Sequence, residues 1–320
     1  LTNNPLKVKS LRAEGVHVVR REPVRIEPNA HNVEYLRTKG LTGSKEGCAE
    51  GDCGACSVVL VERAVDGQPT FRAVNCCLLP VCLLAGRELI SVEGLRSPRG
   101  LHPVQAEMVQ HFGSQCGYCT PGFICSLFEG YHRSDLRTAD DLDDQLSGNL
   151  CRGTGYRSIR EAAQSAYANR PAQALSEQLA VGRNASGAVL TAAEYEYFGE
   201  RFFRPTSINE LLAAMHQHPE ARLIAGATEL GLDITKRFKK FPTLISLEAV
   251  AELTALKSTP TEWQIGAAVT LTDIENQLAD EFPALGDMLR VFGSRQIRNR
   301  ATMGGNIVTA SPIGASAPVL

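Results

Sequence analysis

The chain has 320 residues, 43% hydrophobic and 21% charged, with a formal net charge of −2. That length allows two or three domains with separate cores, and the near-neutral balance supplies no basic face for nucleic acid. The longest apolar run, residues 76–86, is too short to cross a bilayer and is broken by Pro80. With no secretory signal at the start, a cytoplasmic location is expected. The ten cysteines then point to metal or redox chemistry rather than disulfides.

From Val16 to about Val92 the chain reads as short β-rich runs: "VHVV", "PVRIEP", "CSVVLVERAV", "TFRAVNCCL" and "ELISVEG", separated by glycine and polar turns. One helix, "NVEYLRTKG", interrupts them and ends on Gly40. The spacing predicts a small α+β domain over residues 16–95. Over 96–170 the signals become helical. Pro103 and Pro121 suit first helical positions, "TADD" at 138–141 has the form of a capping box, and Ile159, Ala163 and Ala166 form one stripe of a last helix. Residues 171–197, rich in Ala, Ser and Gly without periodicity, read as a linker. Residues 198–320 read as α/β, with Ser207 and Glu210 at capping-box spacing. Leu1 and the apolar stop at "ASAPVL" suggest a fragment at both ends.

"EGCAEGDCGAC" sets Cys48, Cys53 and Cys56 in a C-x4-C-x2-C array, with Cys77 downstream. This is the spacing of plant-type [2Fe-2S] ligation, in which four thiolates hold two irons. Gly47, Gly51 and Gly54 let the loop turn its amides toward sulfur. A zinc knuckle or a set of inert buried thiols are the alternatives, and both suit this spacing less well. Cys76 and Cys82 lie in apolar runs and read as small core residues. "QCGYC" carries Cys116 and Cys119, followed by Cys151 in "GNLCRGTGY". A C-x2-C pair alone also suits a redox dithiol.

"LIAGATELG" has the form of a strand running into a glycine turn whose amides can cradle a pyrophosphate. "ATMGGN" supplies a second glycine-rich turn. Neither matches the G-x-G-x-x-G fingerprint, so a Rossmann domain is not indicated.

Taken in order, "KEGCAEGDCGACSVVL", "QCGYCTPGF", "SGNLCRGTGYR", "LIAGATELG" and "RQIRNRATMGGNIVTASPIG" resemble the small, iron-sulfur/FAD subunit of the xanthine dehydrogenase branch of the molybdenum hydroxylase family. The resemblance runs from about residue 22 to 320. It implies a multidomain α+β chain: a β-grasp ferredoxin-like [2Fe-2S] domain, a four-helix [2Fe-2S] domain and an incomplete α/β FAD-binding domain. It implies Cys48, Cys53, Cys56 and Cys77 as ligands of the first cluster, and Cys116, Cys119 and Cys151 as ligands of the second. Members of the family carry a fourth cysteine where this chain has Gly153, so one iron corner is left open to water or an outside ligand, and a labile cluster is expected. Cys125, one helical turn beyond Pro121, falls where the family has an apolar residue. For FAD, the resemblance implies Leu223, Ile224, Ala225, Gly226, Ala227, Thr228, Glu229 and Leu230 along the pyrophosphate. Thr302, Met303, Gly304, Gly305 and Asn306 would form a second loop, with Phe292 near the flavin. The family also carries Asp where this chain has Ala315.

The function so implied is electron transfer. Purine hydroxylation, from hypoxanthine or xanthine to urate, occurs at molybdopterin on a separate large subunit, and electrons pass through two [2Fe-2S] clusters to FAD and then NAD. No catalytic residue is expected on this chain. The rival readings are the redox arm of a related aldehyde, CO or aromatic-heterocycle dehydrogenase, or a degenerate non-catalytic homologue.

Overall fold

The computed structural model describes residues 40–63, 69–96, 100–171 and 190–319. The expected strands "VHVV" and "PVRIEP" and the helix "NVEYLRTKG" lie outside the described residues. Strands β1 (Ser57–Arg63), β2 (Pro69–Asn75) and β3 (Glu88–Ile90) form an antiparallel sheet in the order β2-β1-β3. Val59 stands opposite Ala73 on one side and Ile90 on the other.

The central strand reads as an unbroken apolar run because both of its faces are covered. Side chains alternate along a strand. Val59 therefore joins one core, with Phe123, Leu127 and Phe128, while Val58 and Leu60 join another, with Phe202, Ile224 and Leu244. The first core belongs to four helices: α1 (Pro103–Gln110), α2 (Thr120–His132), α3 (Ala139–Leu146) and α4 (Arg157–Ala168). Every residue of α2 from Pro121 to Tyr131 is buried, as expected of a helix that is apolar all round. Pro103 opens α1 behind an His102 cap, and Pro121 occupies the second position of α2 rather than the first. Thr138 and Asp141 form the expected capping box of α3. Ile159, Ala163 and Ala166 of α4 are buried together.

The second core faces a mixed sheet of order β4-β5-β7-β6, made from β4 (Ala193–Tyr197), β5 (Glu200–Arg204), β6 (Arg222–Ile224) and β7 (Thr243–Ser246). Helices α5 (Ile208–Gln217) and α6 (Leu230–Thr235) accompany it. Strand β4 corrects the expected linker at 171–197, whose last residues pair antiparallel with β5. The turn between them, Phe198 at φ 49° and Gly199 at φ 79°, has the positive φ at both central positions that a type I′ hairpin turn needs. Phenylalanine is an unusual first residue for such a turn, which hid the hairpin. Ser207 caps α5, while Glu210 reaches past it to the Thr206 amide.

Beyond lie the hairpin β8 (Leu256–Ser258) and β9 (Trp263–Ile265), then α7 (Leu271–Leu278), α8 (Pro283–Val291), α9 (Arg295–Arg298) and α10 (Met303–Thr309). No helix among the described residues is long and apolar enough to cross a membrane.

A polar knot ties the layers together. Glu129 of α2 is 1% exposed and accepts from the Ala73 amide of β2, Gln145 of α3, Arg295 of α9 and Asn299. Asn299 also donates to the Ala73 carbonyl at 2.8 Å. Arg298, fully buried, donates to both oxygens of Asp144 at 2.7 and 2.6 Å and to Glu275 at 3.2 Å. Removing one partner of a buried charge pair strands the other without solvent. Glu129→Ala is therefore expected to cost about 3–5 kcal/mol, read as a lowered urea midpoint by far-UV circular dichroism. An unchanged midpoint would contradict this account of the knot.

Candidate functional site

The loop from Leu41 to Cys56 reaches the start of β1, and Cys77 lies two residues past the end of β2, in the short turn Cys76–Leu78. The local geometry gathers four expected thiols. Cys48 receives side-chain hydrogen bonds from Cys53 and Cys77, which hold it well below the ordinary thiol range. Cys56 is held low in the same way by Cys76 and Cys77. The donors Cys53, Cys76 and Cys77 are pushed up in turn by those same bonds and by burial. The Cys53 amide also donates to the Cys48 sulfur at 3.4 Å. Cys77 contacts both Cys48 and Cys56 and is 1% exposed. Cys76 packs in the second core, as read from its apolar run. Cys82 packs against that core too, and burial pushes its thiol up to about 12.

Among the described residues, no set of three or more His, Cys, Asp or Glu surrounds a single metal ion. A [2Fe-2S] cluster asks for something different, namely two thiolates on each of two irons. The donor set Cys48, Cys53, Cys56 and Cys77 fits that demand in chemistry and in grouping.

The second cysteine group lies at the entrance to α2 and on the loop before α4. Burial and a hydrogen bond with Cys151 push Cys119 up to about 12. Burial opposes ionisation of Cys151, yet hydrogen bonds from Thr154 and Gly153 outweigh it and bring the thiol down to about 7. Those donors are the Thr154 hydroxyl at 3.2 Å and the Thr154 and Gly153 amides, each at 3.4 Å. Cys116 is exposed. Cys125 is 0% exposed inside the helical core, in keeping with a packing role.

The two groups touch through one backbone bond and one side-chain bond. The Leu150 amide, next to Cys151, donates to the Cys53 carbonyl at 3.0 Å, and Asn149 donates to the Gly54 carbonyl at 3.2 Å. A Cβ on Gly122 of α2 would fall 2.0 Å from the Gly54 carbonyl oxygen, so only glycine lets the helix lie this close to the first loop. Gln296 closes the junction from the other side, donating to Ser126 at 2.8 Å and Asn149 at 2.7 Å. Neither Asn149 nor Gln296 was singled out by sequence. Their one signal was a polar residue beside a glycine-rich or cationic motif.

The segment Leu223–Leu230 runs from β6 through a turn into α6, as expected. Ile224, Ala227 and Leu230 point into the second core, while Leu223 and Glu229 are exposed and Ala225 and Thr228 are half-buried. A Cβ on Gly226 would lie 1.7 Å from the Arg300 carbonyl oxygen, so this turn abuts the backbone leading to Thr302. The structure thus brings the two glycine segments together.

The second segment is not a loop. Thr302 caps α10, accepting from the Gly305 amide at 3.1 Å, and Met303, Gly304, Gly305 and Asn306 lie within the helix. The Met303 and Gly304 amides donate to Val269 and Ala267. The glycine pair argued for a turn, but a Cβ on Gly304 would lie 2.6 Å from Ala267, so close packing selected it. Phe292 packs with Leu285 and Leu289 in a third core, and Ala315 is half-buried.

Residues 91–164 match a family described as a [2Fe-2S] binding domain, and residues 195–320 match the FAD binding domain in molybdopterin dehydrogenase. The chain is 34% identical over 348 residues to xanthine dehydrogenase of Drosophila subobscura, covering 92% of this chain and 26% of that protein. It is 31% identical over 344 residues to xanthine dehydrogenase/oxidase of Mus musculus, with the same 92% and 26% coverage. The chain belongs to the xanthine dehydrogenase family.

It spans about a quarter of the length of these curated relatives, 26% in both cases. Quinoline 2-oxidoreductase from Pseudomonas putida 86 is 32% identical, with 46% of this chain and 89% of that chain covered, at a TM-score of 0.38. This xanthine dehydrogenase family chain thus carries a [2Fe-2S] binding domain and an FAD-binding domain.

Because Cys77 bridges to two of the other thiols while Cys76 reaches only Cys56, the two neighbours are expected to differ on substitution. Cys77→Ser and Cys53→Ser should abolish a plant-type [2Fe-2S] signal in electron paramagnetic resonance of the reduced chain, and Cys76→Ser should retain it. The reverse pattern for Cys76 and Cys77 would reassign the fourth ligand.

Proposed function

We propose that the chain is the iron-sulfur/flavin electron-transfer subunit of a molybdenum-dependent xanthine dehydrogenase, acting in the cytoplasm with a separate molybdopterin-binding large subunit. Its task is to carry electrons from purine hydroxylation, hypoxanthine or xanthine to urate, toward NAD. Within it, we assign residues 16–95 to a β-grasp ferredoxin-like domain, 96–170 to a four-helix domain and 198–320 to a flavin domain. When bound, the clusters supply one-electron carriers and FAD supplies exchange between single electrons and a hydride.

The observation that carries this reading is a continuous line of contacts through the three sites. Leu150, beside Cys151, donates to the Cys53 carbonyl. In the loop between Cys48 and Cys53, the Ala49 carbonyl accepts from Thr235 of α6 at 2.7 Å, and α6 opens from the glycine turn at Gly226. The order second group, first group, flavin turn follows from these bonds.

The protein groups along this line do the holding. The Gly153 and Thr154 amides and the Thr154 hydroxyl donate to the Cys151 sulfur, which favours its anionic form. Cys56 and Cys77 are 2% and 1% exposed, so water is kept from the first site. In the flavin turn, the amides of Ala225 to Glu229 donate to no backbone carbonyl among the described residues, which leaves them for a pyrophosphate. The amides of Met303, Gly304 and Gly305 are already committed, so this reading gives the phosphate contacts to the first turn.

Beside the second cysteine group, Tyr118 lies between Cys116 and Cys119, Leu150 precedes Cys151, and Tyr156 accepts from the Cys151 amide; the three are exposed by 46%, 52% and 38%. Large apolar side chains at such an edge suit a protein partner, and the proposed partner is the molybdopterin subunit.

Urate formation is expected only when a molybdopterin-binding large subunit is coexpressed and copurifies with the chain, and NADH should then accumulate with it. Urate production by this chain alone would overturn the assignment. Copurification and turnover with an aldehyde or quinoline but not with xanthine would transfer it to another branch of the family.

A further inference from the structure

The second cysteine group has three thiols where a [2Fe-2S] cluster takes four protein donors, and Gly153 stands where the resemblance implies the fourth. The structure shows what lies over that glycine. A Cβ built on Gly153 would fall 2.7 Å from Gln115 Oε1, 3.4 Å from its Cδ and 3.8 Å from its Cβ. The Gln115 side chain thus runs alongside Gly153, and its carboxamide oxygen sits where a side chain from position 153 would begin. Gly153 itself is outside the left-handed backbone region, so the glycine is not demanded by φ.

The other nearby donors are accounted for. The Thr154 hydroxyl donates to the Cys151 sulfur and accepts from the Tyr156 amide. Cys125 is fully buried in the helical core. The Gly153 amide is a donor, already directed at Cys151. Gln115 Oε1 receives no hydrogen bond among the described residues, and Gln115 immediately precedes Cys116.

We propose that the carboxamide oxygen of Gln115 completes the iron shell of the second cluster, giving a three-thiolate, one-oxygen [2Fe-2S] site. The proposal deepens the proposed function and rests on its assignment of Cys116, Cys119 and Cys151 as ligands. The chemistry has a direction. A neutral oxygen in place of a thiolate makes the cluster less negative by one charge, which favours the reduced form and raises the potential, as neutral imidazole does in Rieske centres. Oxygen also binds iron more weakly than thiolate at a soft site, so this cluster is lost more readily than the first.

The test is a redox titration of the full chain, followed by electron paramagnetic resonance and iron analysis, with the first cluster's signal as internal control for folding. The unmodified chain should show two distinct signals and about four irons, two per cluster. Gln115→Ala should lose the second signal and about half of the iron while keeping the first signal. Gln115→Glu, which retains an oxygen donor and restores the negative charge, should keep the second signal at a lower potential. Adding Gly153→Cys to Gln115→Ala should bring the second signal back, again at a lower potential than in the unmodified chain. A second signal unchanged in shape and potential in Gln115→Ala would overturn the proposal, as would failure of Gly153→Cys to rescue that variant or absence of a second signal from the unmodified chain. Absence of both signals from the unmodified chain would refute the underlying reading instead.

Discussion

The arrangement depends on one buried carboxylate. Glu129 lies in a helix otherwise lined by Phe123, Leu127 and Phe128, and its two oxygens collect donors from β2, α3, α9 and Asn299. A carboxylate with 1% exposure is costly unless several donors surround it. Those donors exist together only when the three-stranded sheet, the helical layer and the flavin segment are all in place. The polar knot therefore does what an apolar contact would do less selectively: it specifies one relative placement of three layers. Around its edges Arg72 pairs with Asp273, while Arg87 and Arg300 share Glu248, extending the same pattern of charge pairs from one layer to the next.

That placement matters because polar bonds join the two cysteine loops to each other. They meet through one backbone hydrogen bond, Leu150 to Cys53, and through the Asn149 carboxamide on the Gly54 carbonyl, and such contacts require the backbones to come close. Glycines at 54, 122 and 148 permit this. A Cβ on Gly54 would lie 2.2 Å from the Gly148 carbonyl oxygen, and one on Gly148 would lie 2.0 Å from Gln296. Close packing of this kind is rigid. For a route that works by proximity between carriers, rigidity in the peptide between them is a direct asset, and the α9 segment supplies it from the flavin side through Gln296.

Much of this was legible in the sequence wherever a local rule acts alone. The run "CSVVLVERAV" announced a strand, "TADD" announced a capped helix, and the spacing of Cys48, Cys53, Cys56 and Cys77 announced a group of thiols that the fold does bring together. What escaped had distant causes or a local rule overridden by packing. The hairpin at Phe198 was hidden by an aromatic residue in a turn usually built from Asn, Asp or Gly. The glycine pair at 304 and 305 suggested a loop, yet it opens a helix because Ala267 leaves no room for a side chain at 304. Glu129 and Arg295 are 166 positions apart, and no periodicity links them. The role of Gln115 was equally hidden, because a glutamine beside a cysteine has no pattern until the chain folds Gly153 beneath it.

The central claim is that the two cysteine groups are held in contact as neighbouring cluster sites. It is tested most directly by the magnetic interaction between them. In the fully reduced chain the account predicts that both [2Fe-2S] signals are split or broadened and relax faster than when only one cluster is reduced. A fully reduced spectrum equal to the simple sum of two isolated signals would contradict it.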